Sequence, residues 1–139
     1  MSAPWFEDLF VGADFSDVPA VTITEGHAAV YQAIFADRSR LPLSQPLSEQ
    51  ITGRPAIVNA TLVSNIAIGQ STVPSQRVIG NLFYRGLVFA QSVYVGDTLT
   101  TQTKVVALRQ NKIQEGRPAS GMAVLEIRVE NQRDETVMN

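Results

Sequence analysis

The stretch Val93-Tyr94-Val95-Gly96-Asp97-Thr98-Leu99 constrains this chain more than any other. Val78-Ile79-Gly80-Asn81-Leu82-Phe83-Tyr84-Arg85-Gly86-Leu87-Val88-Phe89 precedes it, and Leu99-Thr100-Thr101-Gln102-Thr103-Lys104-Val105-Val106-Ala107-Leu108 follows it. Both flanks are rich in β-branched and aromatic residues. The second alternates Thr and Val with polar positions, the period of a half-buried strand. Gly96-Asp97 supplies the backbone freedom and local hydrogen bonding of a tight turn. The pattern predicts strands over 78–90, 98–109 and 120–131, with 114–119 turning between the last two. Ala123, Leu125, Ile127 and Val129 share one face of the third strand, although Val124 interrupts the alternation.

Ahead of these strands the period changes. Pro4–Gly12 reads as an extended segment with its aromatics packed on the core, and Ala20–Ile23 as a short strand. Thr24 is a suitable N-cap for a helix from Glu25 to Ala36, with Glu25 well placed for the helix dipole. Ala28, Tyr31 and Phe35 share one face of it, with Ile34 beside them. From Asp37 to Pro55 periodicity is lost, and Pro42, Pro46, Gly53 and Pro55 mark a long irregular segment of the kind that is often functional. Ile57–Gly69 reads as a second helix, apolar on nearly every face and therefore expected to be surrounded by protein. No internal repeat is visible.

With 139 residues the chain fits one domain with a real core. A hydrophobic fraction of 45% against 17% charged residues argues against disorder and for a buried or oligomeric interface. The net charge is −2 with the basic residues scattered, which excludes the basic stripe that nucleic acid demands. No apolar run approaches the ~20 residues that span a bilayer, and the N-terminus lacks the pattern of a secretory signal, so the cytoplasm is the expected location. The absence of Cys excludes disulfides, thiol nucleophiles and Cys-based metal sites. The single histidine, His27, excludes zinc sites built on two or three His of one chain.

A short strand, a helix, an irregular stretch, a buried helix and long antiparallel strands describe an α+β hotdog fold, a curved antiparallel sheet wrapped around a long apolar helix. The residues resemble the MaoC-like hydratase/dehydratase family. The matching pieces are Trp5-Phe6-Glu7-Asp8-Leu9-Phe10-Val11-Gly12, Val21-Thr22-Ile23-Thr24-Glu25, Gly53-Arg54-Pro55 and Val93–Leu99. The resemblance covers nearly the whole chain. Thr24-Glu25-Gly26, Ala33-Ile34-Phe35, Gly69–Val73 and Tyr94–Leu99 resemble the N-terminal half of double-hotdog enzymes of the mesaconyl-CoA hydratase (β-methylmalyl-CoA dehydratase) type. Such enzymes add or remove water across the double bond of an enoyl-CoA.

In family members with this activity, the loop after the first helix carries an Asp, then Asn-Pro, an aliphatic residue and a His. Here it reads Ala36-Asp37-Arg38-Ser39-Arg40-Leu41-Pro42. Asp37 falls where the family Asp stands, Ser39-Arg40 replaces Asn-Pro, and Pro42 stands where His is expected. Proline has no titratable group, so the dyad is broken. Asp37 is the candidate catalytic residue, and the plainer reading makes it a helix-end carboxylate paired with Arg38 or Arg40. A dyad with His27 in one chain is disfavoured, because about ten residues of helix at a 1.5 Å rise separate the two by roughly 15 Å. Asn59 and Asn65 are polar residues in an apolar helix. Asn59 lies at the helix start, near where the family usually has a His-Gly pair, and backbone N–H groups there, at Asn59 and Ala60, could bind a thioester oxygen. A cap or a dimer-contact amide explains Asn59 equally well. Arg54, Arg85 and Arg109 could meet coenzyme A phosphates, or be solvated surface charges. Tyr31, Tyr84 and Tyr94 read as core or strand-face residues.

The resemblance implies a single domain over 1–139, or one half of a double hotdog, that shapes the pocket of an acyl-CoA thioester. In that case the catalytic Asp/His pair comes from a second hotdog. The alternatives are an autonomous hydratase using Asp37 with a replacement base, and a non-enzymatic acyl-thioester-binding domain. The expected partners are an acyl-CoA thioester and a homodimer mate or second hotdog, with no nucleic acid, no membrane, no metal and no cofactor beyond the coenzyme A of the substrate. The polar turn at Asp134 is followed by Glu135–Asn139, which reads as the start of a further strand, as expected of a fragment or natural half.

Overall fold

The computed structural model describes residues 3–139. Strands β1 (Val21–Thr22), β2 (Thr98–Gln110), β3 (Gly121–Asn131) and β4 (Thr136–Met138) form one antiparallel sheet in the order β1-β2-β3-β4. Four helices precede β2: α1 (Glu25–Phe35), α2 (Arg40–Leu43), α3 (Gln45–Thr52) and α4 (Ala60–Gln70).

β2 and β3 carry the sheet. Their register runs from Leu99↔Asn131 to Gln110↔Gly121, with an irregularity between Val105 and Ala107. Leu99, Thr101, Thr103 and Val105 are buried along β2 while Thr100 and Lys104 face out, as the alternation predicts. In β3 only Val129 and Asn131 are fully buried, and Ala123 is exposed, so the apolar face holds at one end of the strand only. The other edge of β2 is also paired. The Gly12 N–H donates to the Val105 carbonyl (2.7 Å) and the Phe15 N–H to the Thr103 carbonyl (2.8 Å). β4 is flanked on both sides, by β3 and by an extended segment whose Val88 exchanges two backbone hydrogen bonds with Asn139.

α1 begins where expected. The Thr24 hydroxyl accepts from the His27 N–H (3.3 Å), and the Thr24 N–H donates back to His27 Nδ1 (3.0 Å). This is a capping box with His in the place usually held by Glu or Gln. The helix ends at Ala36, which adopts the left-handed conformation (φ 49°) and turns the chain toward Asp37. α4 buries Leu62, Val63, Ser64 and Ala67 against a core of Ile23, Val58, Val93, Leu99, Val129, Val137 and Met138. Ala60, Thr61, Asn65 and Gly69 face outward, so this helix is covered on one side rather than surrounded.

Three expectations are corrected. Residues 37–55 are not irregular throughout: α2 and α3 lie within them. Pro42 and Pro46 both fall in first turns, where a missing N–H costs nothing, and Ser44 caps α3 by accepting from the Leu47 N–H (3.3 Å). Residues 78–90 do not form a strand of the sheet, and only the end of this stretch, around Val88–Ala90, pairs with β4 and Asn139. The N-terminal aromatics divide. Phe6 packs so closely on the end of the β2–β3 hairpin that a Cβ at Gly121 would lie 2.2 Å from its ring. Trp5 and Phe10 are largely exposed, and the Arg77 guanidinium stacks 3.9 Å from the Trp5 ring.

Candidate functional site

The left-handed turn at Ala36 delivers Asp37 to the start of α4. Its Oδ1 accepts from the Ser39 N–H (3.1 Å) and the Ser39 hydroxyl (2.9 Å), an Asx turn that the Asp-x-Ser spacing encodes. Its Oδ2 accepts from the Asn59 side-chain amide, and its backbone carbonyl from the Gln32 amide. The Ser39 hydroxyl and N–H, and then Asn59, hold the Asp37 carboxyl below the usual carboxylate range. No ion pair joins it to Arg38 or Arg40 among the described residues, so the pairing expected from sequence is replaced by neutral donors.

Asn59 caps α4. Its Oδ1 accepts from the Thr61 N–H (2.8 Å) and hydroxyl (2.5 Å), which leaves its Nδ2 to donate to Asp37. With its proton given to Asn59, the Thr61 hydroxyl accepts from the Tyr31 hydroxyl. Tyr31, Thr61, Asn59 and Asp37 therefore form one directed chain of donors ending on a carboxylate. Asp37 and Asn59, separately singled out in the sequence, are brought into contact. Ser39, Thr61 and Tyr31 were missed as site residues. The Asp-x-Ser and Asn-x-Thr spacings carried a signal for the first two, whereas Tyr31 depends on how α1 packs beside α4.

A groove of about 770 Å³ opens beside this network. It is lined by Ser39, Arg40, Leu41 and Pro42 together with Asn59, Ala60, Val63 and the extended segment Phe89–Val93. The 56–58 segment holds the floor by backbone bonds, Val58 N–H to the Val93 carbonyl (2.8 Å) and Val95 N–H to the Ala56 carbonyl (3.0 Å). Ala60 opens α4; in the same turn the Thr61 N–H is taken by Asn59 Oδ1 and the Leu62 N–H by the Asn59 carbonyl (3.1 Å). Asp37 is not in the wall, but Ser39 and Asn59, which bind it, both are. A smaller hollow of about 430 Å³ between Phe6 and Leu108 contains none of the candidates.

The other candidates lie elsewhere. Arg54 stacks 4.0 Å from the Tyr94 ring and lies 3.5 Å from Asp97. Asp97 is buried under the 93–99 corner, where it accepts from the Tyr94 N–H (2.9 Å), Gln132 (2.9 Å) and Arg133 (3.3 Å). Burial pushes the Asp97 carboxyl up, but Gln132, the Tyr94 N–H, Arg133 and the Arg54 charge together bring it below its ordinary value. Arg85 and Arg109 are exposed and line neither hollow. Tyr94 is buried as expected, whereas Tyr84 and Asn65 are exposed. His27 is held in the α1 cap, at the end of that helix opposite to Asp37. Among the described residues no His, Cys, Asp and Glu side chains cluster as a metal site, and no helix is long and apolar enough to cross a membrane.

No protein-family model matches the chain. A β-methylmalyl-CoA dehydratase of Chloroflexus aurantiacus is 38% identical over 136 residues, 96% of this chain and 37% of that protein. A solved Mycobacterium tuberculosis protein described as a double hotdog superposes with a TM-score of 0.92 at 44% identity, over 98% of this chain and 42% of the other. A solved MaoC domain dehydratase from Chloroflexus aurantiacus gives 0.88 at 37% identity, over 98% and 38%. Over nearly its whole length the chain is similar to MaoC-like hotdog dehydratases. It spans about two fifths of the length of the relatives it matches, between 37% and 42%. The hotdog fold expected from the strand and helix order is thus present, with α4 as the helix that the sheet holds.

Proposed function

We propose that this chain is the pocket-shaping half of an acyl-CoA hydratase/dehydratase, acting in the cytoplasm and completed by a second hotdog that brings the acid–base pair. The carrying observation is the groove wall at Pro42, where the family pattern calls for His. Hydration of an enoyl thioester adds water oxygen at the β-carbon and a proton at the α-carbon, and it needs a group that can hold and return that proton. The groove walls hold no carboxylate, His or Tyr. Asp37 beside them is an acceptor whose lowered pKa makes it a weak base. The backbone N–H groups of Asn59, the cap of α4, and of Ala60, its first residue, are suited to a thioester oxygen as negative charge grows on it. The reaction transfers no electrons, so coenzyme A enters as part of the substrate and no redox cofactor is called for.

A partner is supported by the surface. Ile79 is 99% and Leu82 75% exposed, and Phe83, Tyr84, Leu87 and Val88 lie open in the same stretch. Continuous apolar exposure of this kind marks an interaction surface. A second hotdog, whether another copy or a following domain, is the occupant that the double-hotdog relative suggests.

One observation favours a second reading, an autonomous enzyme: the Tyr31–Thr61–Asn59 chain orients Asp37 more carefully than a surface carboxylate needs. Absorbance loss of crotonyl-CoA and mesaconyl-CoA with the purified chain separates the two. The first reading expects no turnover from folded chain. Turnover that disappears in Asp37→Asn establishes the second and overturns the first.

A further inference from the structure

Arg40 stands in the wall of the groove and is the one charged side chain there. The remaining lining is aliphatic, aromatic or neutral polar: Leu41, Pro42, Val63, Phe89 and Val93, with Ser, Asn and Gln between them. Among the described residues Arg40 has no salt bridge and no side-chain hydrogen bond. The carboxylate nearest in sequence, Asp37, does not neutralise it, because Ser39 and Asn59 occupy its oxygens. An uncompensated arginine in the lining of an otherwise uncharged cavity suits an anion, and its planar fork matches a carboxylate or phosphate in two-point contact. The segment that lacks a titratable group at Pro42 thus carries a cation two residues earlier.

We infer that Arg40 binds an anionic oxygen group of the thioester ligand, making it the residue through which this half of the site selects its substrate. The inference rests on the thioester reading above. Two parts of such a ligand carry that chemistry: a carboxylate at the far end of the acyl chain, and the phosphates of coenzyme A. Asn59 and Ala60 line the same groove, so a thioester oxygen there and an anion at Arg40 would together fix the ligand at two points.

Binding of four saturated ligands, which cannot be hydrated, tests this by calorimetry on the whole chain: butyryl-CoA, succinyl-CoA, butyryl-pantetheine and succinyl-pantetheine. A hydrogen-bonded charge contact corresponds to about a 10- to 100-fold change in affinity. If the acyl carboxylate is the anion, Arg40→Gln weakens both succinyl ligands by that factor and leaves both butyryl ligands within about twofold. If the phosphates are the anion, the two CoA ligands weaken and the two pantetheine ligands do not. Equal weakening of all four, butyryl-pantetheine included, makes Arg40 a structural residue and overturns the inference. So does unchanged binding of all four. Failure of the wild-type chain to bind any of them overturns the thioester reading and this inference with it. Arg40→Lys, which keeps the charge and loses the fork, is expected to recover part of the affinity; an effect as large as that of Arg40→Gln with a melting temperature lowered to the same extent would overturn it.

Discussion

Residues 78–89 and 99–108 have nearly the same character, β-branched and aromatic with scattered polar positions, yet they meet different fates. The second forms the longest strand, with Leu99 fully buried. The first lies open, with Ile79 99% exposed, and pairs only at its end, where Val88 meets Asn139. What differs is the neighbourhood. β2 has β3 along one edge, β1 and the 12–15 segment along the other, and α4 in the core beneath its buried face. The 78–87 stretch has none of these among the described residues. Strand propensity measures fit to a half-buried surface, and it makes a strand only where a surface is supplied.

Mutations at matched apolar positions probe that difference. Leu99→Ala is expected to cost about 2–5 kcal/mol, because it opens a cavity in the core. Leu82→Ala should stay within about 0.5 kcal/mol in the isolated chain. Denaturant unfolding of both variants checks the pair, and equal losses would mean that the first stretch is buried after all.

The corner between the two regions comes next. Asp97→Ala is expected to cost about 2–3 kcal/mol, since it strands the Tyr94 N–H and separates Arg54 and Arg133 from their shared carboxylate. The sign of its pH dependence follows from a lowered pKa. The stabilisation is fully present above the ordinary carboxyl value of 3.8 and is lost as pH falls through the lower folded-state value. The stability gap between wild type and Asp97→Asn should therefore shrink on acidification across that window. A gap that does not change with pH would detach Asp97 from the acid limb of stability.

Thr24→Ala should cost about 1 kcal/mol by uncapping α1, read as a lowered melting temperature. The smallest effect on stability belongs to Leu82→Asp, which is expected to leave unfolding of the isolated chain unchanged while weakening association with the second hotdog in sedimentation experiments. Unaltered association would place the interface elsewhere.

Most of the architecture was legible because local and tertiary signals agree there. Thr24 caps α1, the alternation of β2 matches its burial, and Gly96-Asp97 makes its turn. The failures share a cause. Pro42 and Pro46 read as helix breakers because their position in a first turn depends on where Ser39 and Ser44 start each helix. The 78–90 stretch reads as a strand because its β-branched and aromatic residues suit one, while the described residues pair with it only around Val88–Ala90. At the site, Asp37 was found because it falls where the family Asp stands, and Asn59 because it interrupts an apolar helix. Their contact, and the role of Tyr31, arise from the packing of α1 beside α4, which no linear spacing records. Arg40 was legible only as half of a conventional ion pair with Asp37.

Amide hydrogen exchange, measured on the chain in a species shown by sedimentation to be monomeric, tests the comparison most directly. The account predicts slow exchange along 99–105 and 125–131, and exchange at close to unprotected rates along 79–87. Equal protection of 79–87 and 99–105 in the monomer would contradict it, because the apolar stretch would then be satisfied without a second hotdog.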